Sequence, residues 1–327
     1  LLYAPLTTLP YAVSEAIWRL LSLGIFSWGL FRFTALLLVN HQQNRWPVFF
    51  LLLTALAIPL CFDSVRNGQM HLLVTGLLML AAASVCQSRW RQATFLIVLA
   101  FFLKPTAIVF LLLTAGVFLA ETWIYFLIWM ALFLVLPLVT QSWHYVLAQY
   151  QACFTMLTVA ATAGNSQDWA QFFNLVSQLG WEMPQLLQTI VRVIVAVLFL
   201  GIGFYIKRRS SLRETIIWLL MLSMSYLMLF NPRTENNDYM MLIPVLGYCF
   251  VNNILCKKYA QLGFLILITA GLISSYYLSN LFPGHRNWSA PLMGLLLLGY
   301  LILSSKYGKM AALTDRGHYE SSKRFYF

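Results

Sequence analysis

The chain has 327 residues, 61% of them hydrophobic and only 9% charged, with 21 Lys and Arg against 10 Asp and Glu for a formal charge of +11. A soluble domain carries about 25% charged residues, so the composition excludes an ordinary water-soluble fold. It predicts an all-α, polytopic integral membrane protein.

The sequence opens at Leu1 in a stretch holding Tyr3-Ala4-Pro5 and Leu9-Pro10, with no charged-then-apolar signal segment, and reads as a fragment whose N-terminus lies further upstream. Apolar runs able to cross, or nearly cross, a ~30 Å hydrocarbon core follow at 12–33, 47–61, 70–86, 93–103, 105–120, 122–139, 185–206, 215–230, 239–255, 262–281 and 289–305. This predicts a bundle of about 9–11 transmembrane or half-membrane helices in one membrane domain, 1–305, followed by a basic tail, 306–327. The runs 93–103 and 105–120 are short and meet at Lys104-Pro105. Proline lacks an N–H and disfavours helix at the residue before it, so these runs are expected to be a broken pair.

Basic residues orient the chain. Alternate loops hold Arg32, Arg45, Arg89, Arg91, Lys207, Arg208, Arg209, Arg213, Lys257 and Lys258, and the tail adds Lys306, Lys309, Arg316, Lys323 and Arg324. The other loops hold only Arg66, Lys104, Arg233 and Arg286, and are expected to face outward. The charge excess is then an orientation signal, and no nucleic-acid partner is expected. The 45-residue stretch 140–184 falls on the same outer side and mixes Trp143, Tyr145, Trp169, Phe172, Phe173 and Trp181 with Gln and Asn. That mixture suits a helix lying in the membrane interface, or a lid over a lipid-linked substrate.

Three polar interruptions carry the chemistry: Asp63 to Gln69, Leu103-Lys104-Pro105, and Asn231 to Asp238. Each supplies a cation beside hydrogen-bonding or acidic groups, and a buried cation usually lines a cavity or finds a partner. In the first, Arg66 is a fork of donors for phosphate, Asn67 and Gln69 are amides suited to hydroxyls or phosphate oxygens, and Gly68 permits a positive φ before an apolar helix. A plain polar turn, with Asp63 and Arg66 neutralising each other, fits the same residues. Lys104 is either a snorkelling lysine or a point-charge phosphate ligand. Arg233 stands with Glu235 and Asp238, either as a neutralised loop or as a site for a lipid phosphate. His71 follows Gln69 closely, though a lone helix histidine is more often structural. The cysteines and histidines lack metal-ligand spacing, and no glycine-rich phosphate loop occurs, so neither a metal nor a nucleotide cofactor is expected.

Taken in order, Arg66-Asn67-Gly68-Gln69, Leu103-Lys104-Pro105, and Asn231-Pro232-Arg233 ending in Asp238-Tyr239 before Pro244 resemble the DUF2029 group, glycosyltransferase family 87, over roughly 1–250. The resemblance implies a bundle of the GT-C type. It further implies transfer of a hexose, often mannose, from a polyprenyl-phosphate-sugar donor to a lipid or glycan acceptor at the outer face of a bacterial inner or plasma membrane. The expected substrate-binding residues are Arg66, Asn67, Gln69, Lys104, Arg233, Glu235 and Asp238, and the general base is expected upstream of Leu1. Mannosyltransferase members commonly carry histidines where this chain has Asn236 and Asn237. The other functions weighed are a lipid-linked glycan polymerase or ligase and a flippase-type transporter.

Overall fold

The computed structural model describes residues 4–38, 44–162, 169–280 and 287–307, and all regular structure among them is helical. A short turn α1 (Ala4–Thr7) leads into α2 (Tyr11–Leu37), α3 (Trp46–Arg66), α4 (His71–Cys86) and α5 (Trp90–Leu103). A 3₁₀ turn, Pro105–Ala107, then opens α6 (Ile108–Val117), followed by α7 (Leu119–Val135), α8 (Trp143–Thr162), α9 (Phe172–Gln178) and α10 (Gln185–Arg209). After α11 (Leu212–Phe230), a second 3₁₀ turn, Asn236–Leu242, opens α12 (Ile243–Leu255), and α13 (Tyr259–Ile273), α14 (Ser275–Asn280) and α15 (Ser289–Tyr307) complete the described chain.

Six of these segments are long and apolar enough to cross a membrane, and five shorter apolar helices stand among them. The chain is therefore a polytopic all-α membrane protein. The predicted run 47–61 falls short of its helix, because α3 continues through Asp63, Ser64, Val65 and Arg66. The run 105–120 divides after Val117, and the predicted tail lies outside the described residues beyond Tyr307.

Burial separates the centre of the bundle from its rim. α4, α11 and α12 are buried nearly all round, as expected of helices apolar on every face. α7, α8 and α10 instead turn Leu127, Leu132, Phe154, Leu186 and Val197 outward, where a bilayer would meet them.

α2 and α4 cross so closely that a Cβ on Gly76 would lie 2.7 Å from the Ile25 carbonyl oxygen, and one on Gly29 would lie 2.5 Å from the Gly76 oxygen. Small residues let backbones approach in this way where water supplies no driving force between helices. Gly76→Val should therefore lower the unfolding temperature in detergent, since overpacking costs about 1–3 kcal/mol. Gly24→Ala, on the partner helix α2 but with nothing within 4 Å of its would-be Cβ, should leave that temperature unchanged.

The connections gather at two ends. At one, Lys207 donates to the Val117 carbonyl (2.7 Å) and Arg213 to the Leu36 carbonyl (2.5 Å), so basic side chains cap the C-termini of α6 and α2. The three polar interruptions meet at the other.

Candidate functional site

The site begins where α5 stops. Lys104 is the C-cap of α5 in extended backbone (φ −144°, ψ 115°), because Pro105 forbids helix there, and Pro105 then starts the next turn. At 1.5 Å per residue the 14 residues of α5 and the 10 of α6 reach only about 21 and 15 Å, each less than a ~30 Å core. Lys104 is half-buried at this break, and its Nζ contacts Nε2 of His71.

His71, the first residue of α4, is only 5% exposed. Its Nε2 also lies 2.6 Å from Oδ1 of Asp238, and its Nδ1 lies 3.1 Å from Oε1 of Gln69. Ser64 donates to the same Gln69 oxygen (3.3 Å) and to the Asn237 carbonyl (3.2 Å), which ties α3 to the 3₁₀ turn before α12. Residues from all three interruptions therefore share one contact network. Its members are Gln69, Lys104 and Asp238, with His71 at the centre. The ammonium and the carboxylate compete for one ring nitrogen, which cannot at once accept from the first and donate to the second.

The third interruption is not neutralised in the expected way. Oδ2 of Asp238 accepts from the Glu235 amide (2.9 Å), and the Glu235 side chain accepts from the Asp238 amide, so the two carboxylates cap the 3₁₀ turn reciprocally. Neither pairs with Arg233, whose guanidinium lies 5.7 Å from the Trp169 ring centroid. Glu235 is exposed, and like Asp238 it acts on Lys104 electrostatically.

The first interruption also differs from expectation. Arg66 and Asn67 are exposed at the rim, outside the contact network, and Asp63 forms no ion pair with Arg66. An exposed pair of this kind is worth little, so nothing holds the two side chains together. Gly68 does take the positive φ that glycine permits, at 62°, and its carbonyl accepts from the Trp18 indole at 2.8 Å.

Three residues carry more of the site than their sequence signals indicated. His71 is one. Arg19, on α2, donates to the Arg66 carbonyl (2.8 Å) and pairs with Glu15. Arg192, on α10, donates to the Phe230 carbonyl (2.9 Å) and lies 4.8 Å from the Phe173 ring, joining α9, α10 and α11. Arginines inside apolar helices were the signal that could have found the last two.

The stretch 140–184 divides in two. α8 is exposed along almost all its length, whereas α9 is docked: Phe173 is 1% exposed, and Ala170 donates its amide to the Thr234 carbonyl at 2.7 Å. Asn287 closes the same end by accepting from Asn174 (3.0 Å) and Asn236 (2.9 Å). Asp168 lies outside the described residues.

Burial and nearby charge act together on Lys104. Burial pushes the Lys104 ammonium below its ordinary pKa, and the charges of Asp238 and Glu235 push it back up. Oγ1 of Thr106, Nε of Arg233, and Oδ1 of both Asn236 and Asn237 are buried without a hydrogen-bond partner. Buried polar atoms are rarely left unpaired in a folded protein. Thr106 follows directly on the second interruption, and the other three belong to the third.

A family model described as glycosyltransferase family 87 matches residues 1–232. Neither a curated protein nor a solved structure matches the chain.

Proposed function

The chain belongs to glycosyltransferase family 87, and from that membership we propose that it is a GT-C-type enzyme. In this reading it moves a hexose, mannose among the candidates, from a polyprenyl-phosphate donor to a lipid or glycan acceptor at the extracytoplasmic face of a cell membrane. The observation that supports it best is Lys104, held by Pro105 at a helix break and joined to Asp238 through His71.

In this reading Lys104 receives the donor phosphate. A phosphate gives the ammonium a stronger partner than the imidazole does, which frees His71 Nε2 to hold Asp238 alone. Arg233 and the amides of Asn67, Asn236 and Asn237 stand within the same interruptions to take sugar hydroxyls and remaining phosphate oxygens. The acceptor hydroxyl oxygen attacks the anomeric carbon as the bond from that carbon to the phosphate oxygen breaks. Negative charge grows on the departing polyprenyl phosphate, where Lys104 and Arg233 stabilise it. The hydroxyl proton goes to a carboxylate with a free lone pair. Asp238 is poorly suited to that role, with one oxygen against His71 and the other on the Glu235 amide.

The test uses the full chain in membranes with radiolabelled polyprenyl-phosphate hexose and, separately, the nucleotide-sugar form. Label should pass to an extractable lipid or glycan from the polyprenyl donor alone. Transfer from the nucleotide sugar alone, or movement of an intact lipid-linked glycan across the bilayer with no new glycosidic bond, would overturn the reading.

The orientation is tested independently. In a background lacking the five native cysteines, Arg66→Cys, Lys104→Cys and Arg233→Cys should all react with a membrane-impermeant maleimide from the extracytoplasmic side. Cytoplasmic reactivity at any of the three would contradict a shared outer site.

A further inference from the structure

At the opposite, basic end an open cavity of about 560 Å³ lies between the start of α5 and the middle of α7. Arg89, Arg91 and Gln92 line it with Phe95, Tyr125 and Trp129. It shares no lining residue with the network around Lys104, and the transfer reaction uses none of it.

The lining has a polar part and an apolar part. Arg89 and Arg91 are exposed and form no ion pair with any carboxylate among the described residues. The nearest acidic residue along α7, Glu121, is taken up by Lys207 at 3.7 Å. The Arg91 guanidinium lies 5.9 Å from the Trp129 ring centroid, and Trp129 donates its indole N–H to the Arg91 carbonyl at 3.1 Å. Phe95 packs on Trp129 with ring centroids 5.0 Å apart, so the aromatic wall is fixed by contacts of its own. A guanidinium attracted to a ring at this distance keeps its N–H donors for an anion.

We propose that this cavity binds one anionic phospholipid, its phosphate between Arg89 and Arg91 and an acyl chain along Phe95, Tyr125 and Trp129. Charge complementarity selects the occupant: two unpaired cations above an aromatic slot, at the end of the bundle where the other basic residues gather. Basic pockets between transmembrane helices hold acidic headgroups in this way, and aromatic side chains with one polar edge belong at that depth. A free phosphate would satisfy the two arginines and leave the aromatic wall without a partner.

The experiment measures lipid retained by the delipidated full chain in a neutral detergent, by native mass spectrometry. Phosphatidylglycerol should bind at one molecule per chain, about thirtyfold more tightly than phosphatidylcholine. The double variant Arg89→Gln/Arg91→Gln should lose that preference. Arg208→Gln/Arg209→Gln, which removes the same charge from α10 at the same end, should keep it. On the unaltered chain, a photoreactive phosphatidylglycerol should modify peptides of α5 and α7 around Phe95 and Trp129. Equal binding of the two lipids, equal loss in the α10 variant, displacement by inorganic phosphate alone, or crosslinks confined to other helices would each overturn the assignment.

Discussion

Lys104→Gln should reduce sugar transfer by about 100-fold or more with little change in the amount of folded protein, because in the proposed reading it takes one charged group from a developing anion in a preorganised site. Lys104→Arg should retain part of the activity, since the charge persists while its point geometry does not. The pH dependence separates the two lysine roles further. Burial lowers the Lys104 pKa, and only the protonated form attracts phosphate. Donor binding is thus complete below that lowered pKa and is lost as pH rises through it, earlier than for an ordinary lysine. In Lys104→Arg the residual activity should persist to higher pH. Activity profiles of the two proteins that fall together on the alkaline side would remove Lys104 from the phosphate site. Loss of folded protein in Lys104→Gln would assign the lysine a structural role instead.

Asp238→Ala should act on stability first. The carboxylate and the imidazole facing it are each 6% exposed, and taking away one partner of a buried polar contact costs about 1–3 kcal/mol. The Asp238 side chain also accepts the Glu235 amide, so the 3₁₀ turn loses its reciprocal cap. Unfolding measured for Asp238→Ala, His71→Ala and the double variant should give a coupling energy of at least 1 kcal/mol. Simple additivity would mean that the two groups stand close without supporting each other.

Much of the bundle was legible because its apolar runs are separated by polar residues, charges or prolines. The broken pair at Lys104-Pro105 was legible for a purely local reason: proline constrains the residue before it and has no N–H to give. Partner choice inside the site was much less legible. Gln69, Lys104 and Asp238 come from three separate interruptions, His71 opens α4, and the hydrogen bond from Ser64 to Asn237 spans 173 positions. No periodicity encodes such pairings. Local charge spacing was misleading as well. Asp63 and Arg66 sit three apart on one helix yet remain apart in water, and Arg233 prefers the face of Trp169 to two neighbouring carboxylates already engaged by backbone amides.

The contact between His71 and Asp238 joins two distant parts of the chain, the first inside the matched residues 1–232 and the second six residues past their end. A chimera joining this chain to a relative at that boundary would take the two halves of one buried pair from different parents. Exchange of the C-terminal third should therefore succeed only when the incoming segment brings an acid at the position of Asp238, or when position 71 is exchanged with it. The two positions act as one unit in such an exchange, however far apart they are written in the gene.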